Sequence, residues 1–570
     1  MKFFVTSLLL LLIFIGFFHP VTAITQDLGR HLITGDIILE THSVPKTNLF
    51  SYTYPDFPFI NHHWLSEVFY SISFQTIGFN GLLISNATLI LLSFGLIIFS
   101  IYKKVGALTL LFCSLLYLPI LFERTDVRPE SFSFMFLSLF IFILYKFREK
   151  FTKWILILPF IELLWTNMHI YFPIGIAVLF LFLIDAIAPA IQNLFRDFDS
   201  NQIPKPVQKN NILMLLFILT ASILLTLINP RGLKGALYPF EVFQNYGYSI
   251  AENQNIFFLW NYSHNPAILF FGISAILLLF FLLVFRRKTC PADWFIFIFF
   301  SILAITAIRN FPLFVFATFI PFARSFSNIK ISFSKNIKSI FLILFLGLAV
   351  FEAQQVYAKK GFGFGVETGA KDGVDFFIKQ KLTGPIFNNF DIGSYLIYRL
   401  YPKEKVFVDG RPEAYPKSFF QETYIPMQLD KRKFELADKQ YSFQTIFFSH
   451  TDQTPWAEAF LKQISQNNKW RMIYLDDFTV IYTRDKNTRL AAKRVKPTIR
   501  TDYPNLKSLI QLAHFFQNKN FDDQEIAVYQ KILDINPIYC PALYNLALKL
   551  QAKNNPAFSI FADKFQKNCQ

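Results

Sequence analysis

A carboxylate, a guanidinium and an imidazole stand close together in the stretch Gln26-Asp27-Leu28-Gly29-Arg30-His31, a few residues past the first hydrophobic segment and near the start of a long polar loop. A carboxylate at a membrane surface meets a lower dielectric, which raises its proton affinity and fits it to act as a general base or a metal ligand. The other reading of Asp27 is a cap for the helix that the pattern predicts over Leu28 to Leu39. Three further acids, Glu123, Asp126 and Glu130, are spaced along a second polar loop; they could join the chemistry or simply pair with Arg124 and Arg128.

Arg30, Arg128, Arg231 and Arg309 all fall near the ends of hydrophobic segments. The planar guanidinium fork matches a phosphate, although arginines also anchor helices at the interface. Arg128 and Arg231 are the preferred phosphate ligands, since each adjoins Pro or Gly in a loop whose backbone can approach an anion. His62 adjoins His63, and His63 and Glu67, at i and i+4, share one helix face. With His31 or Asp27 they could hold a divalent ion such as zinc or manganese, or they could orient an interfacial helix whose buried side is Trp64, Leu65 and Phe69. Asn167 and His169 occupy a tight turn that could reach the same cavity, or His169 could simply finish its helix. Asp409-Gly410-Arg411 follows a predicted strand, as an acceptor or domain contact or as a turn held by its Asp.

The elements that must carry these residues are hydrophobic. Of 570 residues 53% are hydrophobic and 18% aromatic, 73 of them Phe, which implies a multi-pass α-helical membrane protein. The net charge of +16 then belongs to inner loops and anionic lipid rather than to nucleic acid. A span needs about 20 apolar residues. Spans are expected over residues 3–18, 81–101, 106–122, 131–146, 153–166, 170–190, 211–228, 265–285, 293–308, 311–323 and 338–356, several of them short and the one ending at Ala323 the weakest. The first is read as retained, although Val21-Thr22-Ala23 offers a cleavage pattern.

With the N-terminus inside, the Lys and Arg of residues 1–356 divide into 17 on the inner side and 7 on the outer. That asymmetry predicts about eleven spans with the C-terminal region outside. The polar loops at 24–80, Glu123 to Glu130, Thr166 to His169, Asn229 to His264 and Arg309-Asn310 then share one compartment. A transporter would place polar residues at mid-membrane, and Glu162 and Asp185 are the main ones inside spans, both near span ends.

The domains expected are a transmembrane domain over 1–356, an α/β domain over 357–490 and a helical tail over 503–567. Strands are predicted at 384–388, 405–409, 443–449 and 472–482, with helices at about 372–382, 391–401 and 454–469. In the tail, Leu509, Leu512, Ala513 and Phe516 recur 34 residues later as Leu543, Leu546, Ala547 and Leu550, a tetratricopeptide-like spacing suited to a protein partner; the other reading is an ordinary helical hairpin. Of four cysteines, none in CxxC spacing, Cys540 and Cys569 could pair if the tail is outside.

A carboxylate just after the first span, a long first outer loop with an amphipathic helix, about a dozen spans and an outer C-terminal domain resemble the GT-C superfamily of polyprenyl-phosphate-dependent membrane glycosyltransferases. Asp27-Leu-Gly-Arg-His31, Asn48-Leu-Phe-Ser-Tyr-Thr53, Asn61-His-His-Trp-Leu-Ser-Glu67, Arg128-Pro-Glu130 and Phe407-Val-Asp-Gly-Arg411 are also similar to a group of bacterial membrane proteins of this type. The resemblance implies that Asp27 is the first-loop acid and that a lipid-linked sugar is the donor. It also implies an acceptor, whether glycan, lipid or protein, outside the bacterial cytoplasmic membrane. Members often pair two acids in that loop; here Gln26 precedes Asp27, so Glu123, Asp126 or Glu130 would supply the second. A competing expectation is a non-enzymatic scaffold whose tail recruits partners.

Overall fold

The structure, a computed structural model, describes residues 2–21, 27–194, 209–242, 246–329, 339–347, 350–351, 354, 361–366, 369–484, 498–499, 501 and 506–569. Gln26 and the loop around Arg196 and Lys205 lie outside the described residues, and of the expected span at 338–356 the described residues 339–347, 350–351 and 354 are helical.

Every expected span up to 311–323 is helical. The helices are α1 (Lys2–Phe17), α2 (Leu28–Thr41), α3 (Trp64–Ile77), α4 (Phe79–Ile101), α5 (Ala107–Leu121), α6 (Glu130–Glu149), α7 (Leu158–Met168), α8 (Pro173–Leu194), α9 (Lys209–Leu225), α10 (Leu233–Glu241), α11 (Ile256–Ser263), α12 (Pro266–Val284), α13 (Pro291–Thr306) and α14 (Phe311–Phe326). Among the described residues α4, α6 and α12 are long and apolar enough to cross a membrane, and α1, α5, α8, α9 and α13 are shorter apolar helices. Their outer faces carry exposed Phe3, Phe99, Phe217, Ile276 and Phe280, a surface suited to lipid rather than water, and the chain is a membrane protein.

Helix α14, the weakest of the expected spans, is the most enclosed: every residue from Phe311 to Ala323 is buried. It packs among α4, α5, α6, α12 and α13. Tyr117 donates or accepts a hydrogen bond with Thr318 across that core, at 3.0 Å.

The first loop carries α2 and α3, which pack face to face. At Gly35 an added Cβ would stand 2.2 Å from the Glu67 carbonyl oxygen, so the glycine is what allows the two backbones to approach.

The C-terminal α/β domain is a five-stranded sheet of β1 (Ile386–Asn388), β2 (Thr445–Ser449), β3 (Trp470–Leu475), β4 (Thr479–Arg484) and β5 (Thr498–Ile499). Its order is β1-β2-β4-β3-β5. The outer pairs β1/β2 and β3/β5 are parallel and the inner pairs antiparallel. Helices Lys371–Lys379, Gly393–Leu400 and Pro455–Ser465 stand close to the expected positions.

Residues 405–409, expected as a strand, do not join this sheet. The Val406 N–H donates to the Phe50 carbonyl at 3.0 Å and the Tyr52 N–H donates to the Val406 carbonyl at 3.2 Å. The extended backbone is real, and its partner is the first loop. Asn48 to Thr53 thereby ties the membrane half to the C-terminal domain.

Four tail helices, Leu506–Lys519, Asp522–Ile535, Cys540–Ala552 and Phe558–Cys569, follow. Leu509, Leu512, Ala513 and Phe516 are buried in the first, and Leu543, Leu546 and Leu550 in the third. A disulfide joins Cys540 to Cys569, 29 residues apart. Closing a loop of that length restricts the unfolded chain by about 3 kcal/mol. Replacing both cysteines by serine is expected to lower the tail's melting transition, measured by thermal circular dichroism.

Candidate active site

A cavity of about 750 Å³ lies between one end of the membrane helices and the C-terminal domain. The first loop contributes Asp27, Arg30, His31, His62 and His63; the helix ends contribute Arg128, Glu130, His169 and Arg309. The loop at 246–255 contributes Tyr246, Tyr248 and Glu252, and the C-terminal domain contributes Asp391, Ser394, Gly410, Glu413, Asp452 and Trp456.

Asp27 precedes α2, and its side chain is 46% exposed. It makes no capping hydrogen bond to the helix. Its Oδ1 accepts from the Ser394 hydroxyl at 3.3 Å and its Oδ2 stands 3.9 Å from Arg30 Nη2. The cap reading of Asp27 therefore gives way to a carboxylate turned toward the cavity and the C-terminal domain.

Behind it sits a closed polar cluster. Glu67, fully buried, accepts from Arg30 Nη1 at 3.0 Å, from His31 Nδ1 at 2.8 Å and from Asn61 Nδ2 at 2.5 Å. Burial alone would raise the Glu67 carboxyl; the hydrogen bond from His31, the charge of Arg30 and the Asn61 amide together hold it below the usual range. Because Glu67 receives the His31 Nδ1 proton while Arg30 Nη2 faces His31 Nε2 at 3.3 Å, His31 sits as a neutral ring, and burial lowers its pKa accordingly.

His62, His63 and His169 continue the imidazole layer, with ring centroids 3.9 Å apart for His62 and His63 and 5.2 Å for His63 and His169. Burial pushes His62 down to about 3 and His63 and His169 well below their usual value. Trp165 Nε1 donates to Ser133 Oγ at 2.8 Å, leaving the Ser133 hydroxyl to donate to His169 Nδ1 at 2.8 Å. The hydrogen-bond network thus assigns the His169 proton to Nε2.

The expected metal grouping of His31, His63 and Glu67 is not formed. Both Glu67 oxygens are spent on Arg30, His31 and Asn61, and among the described residues no three His, Cys, Asp or Glu side chains are grouped as a metal would need. The hydrogen-bonded reading of these residues is the one the geometry carries.

The arginines divide. Arg309 lines the cavity, with Nη1 donating to Asn253 Oδ1 at 2.9 Å, its guanidinium 5.4 Å from the Tyr171 ring centre, and a buried Nε without a partner. Arg128 also lines it and holds both Glu252 oxygens at 3.0 Å. Arg124 holds Glu130 through two hydrogen bonds of 2.9 Å and bonds Glu252 as well. Arg231 is outside the cavity wall: its Nη2 donates to the carbonyls of Lys46 and Phe59 at 2.7 and 2.8 Å, stapling the base of the first loop. Its expected place as a preferred phosphate ligand is corrected accordingly.

Of the second-acid candidates, Glu130 lines the cavity but is paired with Arg124, while Glu123 and Asp126 are not in the wall. Asn167 is also outside the wall, accepting from Trp64 Nε1 at 2.8 Å and donating to the Leu163 and Ile228 carbonyls. It locks the start of α3 against α7. Asp409 and Arg411 form a buried bidentate pair, both bonds 2.7 Å, with Arg411 also donating to Asn48 Oδ1 at 2.7 Å and lying over the Phe50 and Phe59 rings. They clasp the first loop and leave Gly410 facing the cavity.

Sequence reasoning missed Glu252, which pairs with Arg124 and Arg128, and Tyr248, Asp391, Asp452, Glu413 and Trp456, all of them lining the cavity. The signal available was Asn388-Asn389-Phe390-Asp391, polar residues running on from a strand end where sites gather. Burial and the neighbouring Asp452 push Asp391 up to about 7, and burial pushes Glu413 up to about 7. An unfolded Asp titrates near 4, so between about pH 4 and pH 7 the folded state holds the extra proton and stability falls as pH rises through that window. Asp391→Asn is expected to raise the melting temperature at pH 8 and leave it unchanged at pH 4, by differential scanning fluorimetry in detergent.

The helical membrane half, the cavity and the appended α/β domain share their fold with solved oligosaccharyltransferase structures, in line with the resemblance read from the sequence. Among particular relatives, the chain aligns with the archaeal oligosaccharyltransferase AglB from Archaeoglobus fulgidus, solved with an inhibitory peptide and a dolichol-phosphate. That match has a TM-score of 0.55 and 12% identity, covering 94% of this chain and 86% of that one. The same enzyme in its apo form gives 0.55, 12%, 94% and 86%. ArnT from Cupriavidus metallidurans, bound to undecaprenyl phosphate, gives a TM-score of 0.45 and 12% identity, covering 84% of this chain and 97% of that one. No family model and no curated protein matches the sequence.

Proposed function

We propose that the protein is a glycosyltransferase that takes a sugar from a polyprenyl-phosphate carrier and transfers it to an acceptor hydroxyl on the outer side of a bacterial cytoplasmic membrane. The observation that carries this reading is the meeting, in one outer cavity of a GT-C fold, of the half-exposed Asp27 carboxylate with Arg309 and Arg128. The basic inner loops support eleven spans with the N-terminus inside and the C-terminal domain outside.

In the proposed step the acceptor hydroxyl gives its proton to Asp27 while its oxygen bonds the anomeric carbon. The bond from that carbon to the phosphate oxygen breaks, its electron pair leaves with polyprenyl phosphate, and the configuration inverts. Arg309, whose Nε is unspent, and Arg128 oppose the charge that develops on the phosphate. The neutral His62, His63 and His169 line the same wall without adding charge. The tail, read as tetratricopeptide-like, would present a surface to a protein partner.

Purified protein incubated with radiolabelled polyprenyl-phosphate sugars and a membrane extract as acceptor source tests this. Label moving into a new product is expected. Carrier sugars returned unchanged, with the protein folded, would favour the scaffold reading.

A further inference from the structure

We propose that Ser394 and Gly410 of the C-terminal domain are positioning residues for Asp27, so that the acid of the membrane half is aimed by the outer domain. The inference rests on the reading of Asp27 as the base.

Three glycines bring the parts together. At Gly29, on α2, an added Cβ would lie 2.5 Å from the Ser394 carbonyl oxygen, so α2 runs in backbone contact with the helix Gly393–Leu400. At Gly393 it would lie 2.2 Å from the Val408 carbonyl oxygen, which presses that helix onto the Asp409-Gly410-Arg411 turn. At Gly410 it would lie 2.4 Å from Asp27 Oδ1 itself. A side chain at any of these positions would separate the pieces, and at Gly410 it would take the space the carboxylate occupies.

Within this nest Ser394 is 2% exposed, and its hydroxyl donates to Asp27 Oδ1 at 3.3 Å. Arg30 Nη2 faces Oδ2 at 3.9 Å from the other side. The carboxylate is therefore held between a residue of the first loop and two of the C-terminal domain. The turn bearing Gly410 is in turn fixed by the Asp409–Arg411 pair and by the Arg411 bond to Asn48. A base that must meet a proton within hydrogen-bond reach loses rate when it swings away, and a displacement of an ångström costs up to about 100-fold.

Ser394→Ala and Gly410→Ala are expected to lower kcat for labelled-sugar transfer by about 10- to 100-fold with the donor KM unchanged, while Ser394→Thr, which keeps the hydroxyl, restores most of the rate. In parallel, melting temperatures of Ser394→Ala, Asp27→Ala, which removes the acceptor, and the double variant are expected to be non-additive. An unchanged kcat in Ser394→Ala, a rise in KM without loss of kcat, or additive melting shifts would each overturn the positioning role. Full activity in Asp27→Asn would instead sink the catalytic reading, and inactive Asp27→Asn beside fully active Ser394→Ala would sink the positioning alone. If no labelled donor is turned over, the melting cycle still decides whether the two side chains are coupled.

Discussion

Asp27→Asn is expected to lower transfer by about 10²- to 10⁴-fold, the range a positioned base supplies, while the protein remains folded in the membrane. Asparagine has nearly the same shape and can still accept from Ser394, but it cannot take the acceptor's proton. Nor is the substitution expected to disturb packing: the side chain is half exposed, and the charge of Arg30 is balanced chiefly by Glu67 at 3.0 Å rather than by Asp27 at 3.9 Å. Rate measured beside thermal melting in detergent separates the two effects. Loss of rate with an unchanged melting temperature fits a base, whereas retained rate removes Asp27 from the chemistry.

Glu67→Ala is expected to be the most damaging substitution for stability, by about 3–5 kcal/mol, because it leaves the Arg30 guanidinium buried without its counter-charge. Asn61 and His31 lose their acceptor in the same stroke. Replacing Arg30 and Glu67 together by leucine is expected to recover much of the folding but none of the transfer, since Arg30 also faces the cavity. Denaturation in mixed micelles with increasing sodium dodecyl sulfate gives the comparison. A single variant within about 1 kcal/mol of wild type would mean that water reaches Arg30 and that the cluster is not closed.

The half of the site that could be read from sequence is the half that is local. Asp27, Arg30, His31, His63 and Glu67 all belong to one loop between two apolar segments, and polar groups crowded there were visible as a cluster. Their division of labour was not visible: Glu67 turns from His63 toward Arg30 and His31 because α2 and α3 cross at Gly35, and nothing in an i, i+4 spacing reports a neighbouring helix. For the same reason Arg231 looked like Arg309. Both follow a hydrophobic segment, and only the tertiary fold turns one to the Lys46 and Phe59 carbonyls and the other into the cavity.

The fold was legible wherever hydrophobic length decided it, as in α4, α6 and α12, whereas α10 and α11 fall in the stretch from Asn229 to His264 that reads as a loop. Lys405 to Asp409 had the right pattern for a strand, but an alternating pattern specifies an extended chain and not the edge it will join. Its pairing with Asn48 to Thr53 links two of the short motifs across more than half the sequence. The wall from the C-terminal domain, Asp391 to Ser394 with Asp452 and Trp456, comes from contacts of equally long separation.

The central claim is that the outer cavity receives the phosphate of a polyprenyl carrier beside Asp27. A cryo-electron microscopy structure of the purified protein with undecaprenyl phosphate tests it most directly. The expected density places the phosphate within hydrogen-bond reach of Arg309 or Arg128 and the lipid tail along the membrane helices; phosphate density outside this cavity, with Asp27 facing empty solvent, would contradict the account.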